Sequence, residues 1–138
     1  MDYTQVSTPN TTKIAENQWA INNRLTFGRF TSCIGIAGYA KGKKGQLFGV
    51  HLVQVVTDFF NDKDAEKAAN LVAAQCEAGL IKIFGCIAAW KTNPSYATLI
   101  KLLAAKGFKI EEVSTPKDDG DYTVTYNTVN SGIDIVKS

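Results

Sequence analysis

The chain has few of the residues that hold metals or cross-link secreted folds. Its 138 residues include one histidine, His51, and three cysteines, Cys33, Cys76 and Cys86. The cysteines are odd in number and lack the spacing of metal ligands, which argues against a disulfide scaffold and against a zinc site. We therefore expect free thiols, a reducing compartment and no bound metal.

Long blocks of one charge are also absent, and the formal net charge is only +2. This pattern gives no electrostatic basis for binding nucleic acid or an anionic membrane, so we expect neither as a partner. No apolar run is long enough to span a bilayer, and the polar N-terminal residues lack the apolar segment of a signal peptide. These absences favour a cytoplasmic protein, either in a bacterium or delivered into a host cell.

The residues that are present are typical of a globular domain. Apolar residues make up 45% of the chain and charged residues 20%, and a chain of this length can bury a core without disulfides or metals. Residues 1–12 are rich in Thr, Ser, Asn and Pro and are predicted to form a flexible N-terminal lead-in. Residues 13–138 are predicted to form a single domain.

Periodicity and turn residues predict interspersed strands and helices. Helices are predicted from Asn61 to Ala78 and from Pro94 to Gly107, with Asn93 as the cap of the second. Strands are predicted over residues 24–40, 46–56, 80–89, 108–113, 122–128 and 133–137, with a short strand and turn within 13–23 and a turn at 41–45. Because hairpins begin and end this order, we expect an α+β fold with a mixed, mostly antiparallel sheet and helices on one face.

The hairpin of the first two long strands can bring Cys33 close to His51. With a three-residue loop, Cys33 lies opposite His51; with a five-residue loop at 41–45, it faces Val53 and His51 is its diagonal neighbour on the same face. A two-residue loop or one bulge would put the two side chains on opposite faces. The spacing permits a thiol–imidazole pair without fixing it.

A thiol–imidazole pair has a well-defined chemistry. An adjacent imidazolium lowers a thiol pKa from about 8.5 to about 3.5–7.5, which produces a nucleophilic thiolate near neutral pH. A third polar group usually orients the imidazole, and Thr26, Thr31 and Ser32 all lie near Cys33 in the sequence. The competing interpretation is structural, since a cysteine in an apolar strand is commonly a small buried hydrophobe. We predict that Cys76 and Cys86 are core residues of this kind.

Five segments of the chain carry a collinear series of motifs: Thr26–Ile36, Phe48–Leu52, Lys82–Ala88, Tyr96–Ile110 and Thr123–Lys137. In this order they resemble parts of the CheD family, the chemoreceptor glutamine deamidases. The first is similar to the family's Thr-x-Gly-x-Gly-Ser-Cys-Val strand and the second to its Gly/Ala-x-Ala-His-x-x-Leu strand. The third resembles its Lys-Ile-Phe-Gly-Gly-Ala strand, and the last two are similar to its next helix and strand and to its closing hairpin. The likeness covers nearly the whole chain.

The resemblance implies a layered αββ sandwich with two helices, which the family shares with the catalytic domain of cytotoxic necrotizing factor toxins. It implies that Cys33 is the nucleophile and His51 the base, with a threonine as third member. The family's threonine stands six residues before its cysteine, where this chain has Phe27. Thr26 matches if one residue is inserted near Phe30, and Thr31 is its rival.

The implied activity is deamidation of a protein glutamine to glutamate through a thioester, with transglutamination when an amine intercepts that thioester. No cofactor is required, and main-chain groups at Ser32 and Gly28 are expected to hold the oxyanion or substrate. The protein substrate is a chemoreceptor in a chemotaxis enzyme, or a host protein in a toxin. The alternatives are a non-catalytic binding module and a cysteine hydrolase of small amides or thioesters.

Overall fold

The computed structural model describes residues 5–55, 59–113 and 119–137. Within these residues the chain forms two β-sheets and three helices, so the expected α+β class is confirmed. The strands are β1 (Val6–Ser7), β2 (Gln18–Asn22), β3 (Arg24–Phe30), β4 (Ile34–Ala40), β5 (Leu47–Leu52), β6 (Cys76–Gly85), β7 (Lys109–Glu112), β8 (Gly120–Tyr126) and β9 (Ile133–Lys137). The helices are α1 (Asp62–Gln75), α2 (Ile87–Trp90) and α3 (Pro94–Ala105).

The pairing of the strands is mostly antiparallel, as expected. Among the described strands, six form a large sheet in the order β1-β2-β5-β4-β6-β7, and three form a small sheet in the order β3-β8-β9. Only the outer strands β1 and β7 pair parallel with their neighbours β2 and β6. The predicted closing hairpin is present as β8 and β9, with Tyr126 opposite Ile133 at its turn.

The large sheet is covered on both faces, because every residue of its strand β5 is buried. On one face, Leu25 and Phe27 of the small sheet lie directly against Gly49, whose missing side chain leaves the space that they fill. The helices α1 and α3 pack against each other, α1 also contacts β6, and α3 also contacts β7. The layers are therefore helices, large sheet and small sheet, the αββ order that the resemblance implies.

An aromatic cluster joins the two sheets beside His51. The ring of Phe30 stacks on Phe84 at a centroid distance of 5.8 Å and lies 4.9 Å from the ring of Tyr122. All three rings are fully buried. This cluster holds β3 and β8 against the centre of the large sheet, where the candidate site lies.

The prediction of one continuous strand over residues 24–40 is wrong. Residues 24–30 form β3 in the small sheet and residues 34–40 form β4 in the large sheet. The chain crosses between the layers at Thr31 and Ser32, which are exposed, and at Cys33, which is buried. Two exposed residues between apolar segments are too brief a signal to separate two strands.

The predicted ends of α1 and of the following strand are also wrong. Asn61 caps α1 as predicted, through a capping box with Asp64, but the helix ends at Gln75. Cys76 begins β6 instead of lying on a helical stripe, because it pairs with Ala40 of β4. The apolar run 80–89 contains the short helix α2 beyond Gly85, whose φ of +104° redirects the chain. Of the other predicted segments, Val56 and the loop residues 115–118 lie outside the described residues.

The N-terminal segment has more structure than the flexible lead-in that was expected. Thr8 donates its N–H to Trp19 O of β2 at 2.9 Å, and Thr26 of β3 donates to Thr11 O at 2.8 Å. The segment therefore bonds to residues of both sheets. Among the described residues, no helix combines the length and the apolar character needed to cross a membrane.

Candidate functional site

The register of the β4–β5 hairpin decides whether Cys33 and His51 can meet. Gly35 pairs with His51 and Ile34 with Leu52, and Ala40 N–H donates to Gln46 O across the turn. This is the register of the five-residue loop at 41–45, one of the two that favour the pair. One further step in this register would set Cys33, which directly precedes β4, opposite Val53 and diagonal to His51, at a Cα separation of about 7–8 Å. No hydrogen bond joins the Cys33 thiol to Nε2 of His51 in the described residues.

His51 is held in one tautomer by the main chain. Its Nδ1 lies 2.9 Å from the carbonyl oxygen of Ile14, which can only accept a hydrogen bond. The ring proton therefore sits on Nδ1, and Nε2 carries a lone pair. Nε2 is buried and has no hydrogen-bond partner among the described residues. A buried nitrogen without a partner costs roughly 1–3 kcal/mol and calls for an explanation, such as a catalytic role.

The surroundings of His51 keep its imidazole neutral. The side chain is 1% exposed, and its ring lies 4.4 Å from the ring of Phe30 between centroids. Burial lowers the pKa of His51 from its ordinary value, while the bond to Ile14 O and the nearby carboxylate of Glu16 oppose that shift. A neutral ring with a free lone pair is suited to accept a proton.

Cys33 lies at the start of β4 in a shielded position, with 1% of its surface exposed. Burial, followed by the carboxylate of Glu16, raises the pKa of its thiol to about 11. The main-chain N–H groups of Ser32 and Thr31 oppose this shift by favouring the anionic sulfur. The thiol is therefore protonated near neutral pH in this conformation, although two N–H groups are placed to stabilise a thiolate.

Cys86 is the direct neighbour of Cys33 on the other side of β4. Its N–H donates to Cys33 O at 2.9 Å, and its thiol donates to the carboxylate of Asp119 at 3.2 Å. Burial, and next the bond to Asp119, raise the pKa of Cys86 to about 12. The prediction that Cys86 and Cys76 are buried is confirmed, but Cys86 belongs to the candidate site and Cys76 does not.

The third position of the site is filled by a main-chain carbonyl rather than by a threonine. Thr26 lies on the face of β3 opposite Leu25 and Phe27, and its hydroxyl is 3.1 Å from that of Thr123. Phe27 occupies the face that looks toward His51, at a centroid distance of 6.2 Å. The alternation of β3 thus turns the Thr26 hydroxyl away from the imidazole, whose Nδ1 is bound by Ile14 O instead.

The other predicted site residues have main-chain roles. Thr31 and Ser32 are exposed, and their N–H groups act on Cys33. Ser32 O accepts a hydrogen bond from Trp90 Nε1 at 2.8 Å, which anchors this crossing segment. Gly28 donates its N–H to Ile14 O at 2.9 Å and so supports the carbonyl that orients His51. Gly28 is a support for the histidine, not an oxyanion donor.

Sequence reasoning missed Ile14, Glu16 and Asp119. The role of Ile14 depends on its carbonyl, which every residue carries, so no sequence signal marks it. Glu16 follows two residues later and acts on both Cys33 and His51. Asp119 lies within the polar stretch 115–121, which is predicted as a loop and carries no sequence signal of contact with a cysteine.

No group of three or more His, Cys, Asp or Glu residues in the described parts of the chain is arranged to hold a metal ion. The side chains gathered at the site are two thiols, one imidazole and two carboxylates on separate segments. Comparison of the chain with protein-family models, with curated proteins and with solved structures finds no match in any of the three.

Proposed function

We propose that the protein is a cysteine-dependent protein-glutamine deamidase in which Cys33 is the nucleophile and His51 the base. The observation that carries the proposal is the buried, unpartnered Nε2 of His51, one diagonal step from Cys33 across the β4–β5 hairpin. The family assignment is part of the same proposal, since it rests on the collinear motifs. The αββ layer order supports it as well.

The tautomer of His51 supports a base role toward the Cys33 thiol. Because Ile14 O fixes the proton on Nδ1, the lone pair of Nε2 is free to take the thiol proton. The resulting thiolate and imidazolium stabilise each other, and the N–H groups of Thr31 and Ser32 favour the anionic sulfur. These groups oppose the burial that raises the pKa of Cys33 to about 11, so in this proposal the thiolate forms only as His51 takes the thiol proton.

The reaction proceeds in two halves. The Cys33 sulfur attacks the carboxamide carbon of a glutamine, and main-chain N–H groups at the Thr31–Cys33 crossing hold the oxyanion. The imidazolium of His51 protonates the departing ammonia, which leaves a thioester. His51 then removes a proton from water, the hydroxide attacks the thioester, and glutamate is released as the thiol is restored. When a primary amine replaces water, the product is an amide cross-link.

The proposal requires that the crossing segment opens for substrate. Cys33 is only 1% exposed, whereas Thr31 and Ser32 beside it are exposed. Movement of these two residues, which are anchored through Ser32 O to Trp90, is the shortest way to uncover the sulfur. A chemoreceptor helix or a host protein that docks over this segment is the proposed substrate.

A non-catalytic, partner-binding member of the same fold is the second candidate. The burial of Cys33 and its thiol pKa of about 11 favour this candidate, because a thiol without a catalytic role can stay buried and protonated. In that case Cys33 is a core residue and the unpartnered Nε2 of His51 has no role in chemistry.

Quantitative mass spectrometry of cells that express the protein decides between the two candidates. Deamidation predicts peptides in which Gln becomes Glu with the wild type but not with Cys33→Ser. Cys76→Ser is the matched control, since Cys76 is equally buried but lies at the far end of β6; it should behave as wild type. Identical Gln-to-Glu profiles for wild type and Cys33→Ser would refute the deamidase and leave the binding module.

A further inference from the structure

Cys33 and Cys86 lie side by side just beyond the end of the β4–β6 ladder. Ile34 pairs with Gly85 in the last step of this ladder; Cys33 directly precedes Ile34, and Cys86 directly follows Gly85. The hydrogen bond from Cys86 N–H to Cys33 O, at 2.9 Å, extends the ladder to this pair. Two residues that are directly opposed have Cα atoms about 4.5–5.5 Å apart, within the range of about 4.4–6.8 Å that a disulfide needs.

Gly85 makes this close approach feasible. Its φ is +104°, and a Cβ atom at this position would lie 2.8 Å from Cys33 O and 2.6 Å from the ring of Phe30. The backbone of β6 therefore approaches Cys33 closely just before Cys86. The two thiols are near enough for the charge on Cys33 to disfavour ionisation of Cys86.

We propose that Cys33 and Cys86 form a reversible intramolecular disulfide when the protein meets a hydroperoxide. Disulfide formation requires the two Cβ atoms to approach each other by about 1 Å. The Cβ atoms of opposed strand residues lie about 4.5–5.5 Å apart, whereas those of a disulfide lie about 3.5–4.5 Å apart. A hydroperoxide suits this shielded site because it is much smaller than a peptide glutamine or a disulfide oxidant such as oxidised glutathione.

The chemistry balances in two steps. The Cys33 thiolate attacks one oxygen of hydrogen peroxide and breaks the O–O bond; the sulfur becomes the sulfenic acid, and the expelled hydroxide takes a proton and leaves as water, or as an alcohol when the oxidant is an organic hydroperoxide. Cys86 sulfur then attacks the sulfenic sulfur, its proton passes to the expelled hydroxide, and a second water leaves. Two thiols lose two electrons, and the peroxide gains both. The carboxylate of Asp119 accepts a hydrogen bond from the Cys86 thiol, so it can take the thiol proton and pass it to the expelled hydroxide.

The consequence for activity rests on the proposed function. If Cys33 is the nucleophile of a deamidase, the disulfide blocks its sulfur and thiol reductants restore it. The disulfide itself does not depend on that function, because it follows from the main-chain contact between Cys33 and Cys86 beside the last pair of the β4–β6 ladder.

Peptide mapping of the intact protein after treatment with hydrogen peroxide tests the proposal. The wild type should become lighter by two hydrogen atoms and yield a linked peptide that joins Cys33 to Cys86, which a reductant removes. Cys76→Ser is the matched control and should form the same link, because β6 separates Cys76 from Cys86 by about 30 Å at the usual strand rise. Cys86→Ser should instead accumulate the sulfenic and sulfinic forms of Cys33.

Two results would overturn the proposal. One is a wild type that yields no linked peptide, whether Cys33 is oxidised to the sulfinic acid or stays unmodified. The other is a link that forms only between two chains, seen as a dimer on a non-reducing gel. Since the wild type alone gives the decisive readout, misfolding of a variant does not obscure it. A linked peptide without any deamidation would uphold this inference and count only against the proposed function.

Discussion

His51 Nδ1 lies 2.9 Å from the carbonyl oxygen of Ile14, a residue 37 positions earlier in the chain. This single contact fixes the imidazole proton on Nδ1 and leaves Nε2 as an acceptor. In many cysteine and serine hydrolases a side chain has this orienting role. Here a main-chain oxygen orients the imidazole, so a simple side-chain substitution at position 14 cannot remove this orientation.

We expect the stability of the protein to fall below about pH 6.5 because His51 is buried in the neutral form. Burial lowers its pKa in the folded state, so the unfolded chain binds the proton first as the pH decreases. The stabilisation is complete above the unfolded value near 6.5 and is lost as the pH falls toward the lowered folded value, by at most about 1.4 kcal/mol per pH unit. Urea unfolding at about pH 7.5 and 5.5 measures this loss.

The matched control is His51→Gln, which lacks a group that titrates in this range. It should be less stable at the higher pH, and the decrease between the two pH values should be smaller than in the wild type. Equal decreases in both proteins would show that other groups dominate and would contradict the assignment to His51.

The Cys33 thiol should react slowly with iodoacetamide, and Glu16→Gln should speed the reaction. With a pKa of about 11, the thiol near neutral pH is thiolate in only roughly one molecule in ten thousand. Glu16 raises this pKa, so removal of its charge lowers it and increases the alkylation rate by a few-fold. Because Glu16 is exposed, the gain should shrink at about 1 M salt. Quantitative peptide mapping at several pH values measures the rate, and an unchanged rate would exclude an influence of Glu16.

Trp90→Phe should increase the reactivity of Cys33 toward the same reagent. The variant keeps most of the buried ring but removes the Nε1 donor that binds Ser32 O at 2.8 Å. Loss of this bond frees the crossing segment next to the sulfur and leaves the Ser32 carbonyl to accept from water instead, at a cost of about 0.5–1.5 kcal/mol. Cys76 serves as the internal standard, and its alkylation rate should not change. A rise at both cysteines would indicate general loosening of the fold.

Gly35→Ala should destabilise the protein while Gly28→Ala should not. A Cβ at Gly35 would lie 2.2 Å from the Phe84 ring, which is fully buried and cannot move without disturbing the aromatic cluster. Overpacking of this kind costs about 1–3 kcal/mol. At Gly28 the nearest atom is 3.5 Å from the same position, which is an ordinary contact, so we expect a change within about 0.5 kcal/mol. Chemical denaturation measures the free energy of unfolding of the two variants. Similar losses would show that the Phe84 ring moves to accommodate the added methyl group.

Local sequence signals were sufficient for the elements with strong caps and turns. The glycine- and lysine-rich turn at 41–45 gave the β4–β5 hairpin, and one of its considered registers is the observed one. Asn93 and Pro94 gave the start of α3, with the cap accepting from Ser95 N–H at 2.9 Å. These features depend on residues within a few positions of one another, which a sequence displays directly.

The remaining features depend on contacts between distant segments. The division of residues 24–40 between two sheets follows from which partner strand each half finds. The helix α1 ends at Gln75, earlier than predicted, because Cys76 pairs with Ala40 of β4 and begins a strand. The contact of His51 with Ile14 O and the contact of Cys86 with Cys33 O also join segments that are far apart in the sequence.

The N-terminal segment connects the two sheets and contacts the candidate site. Residues 6–17 include β1, which pairs with β2 of the large sheet; they also bond to β3 of the small sheet and, through Ile14 O, to the imidazole of His51. Cleavage within this segment, or a truncated protein that starts after it, removes both the hydrogen bond that fixes the tautomer of His51 and the contacts that join the two sheets. Expression vectors for biochemical work should therefore retain the whole segment and carry any affinity tag at the other terminus.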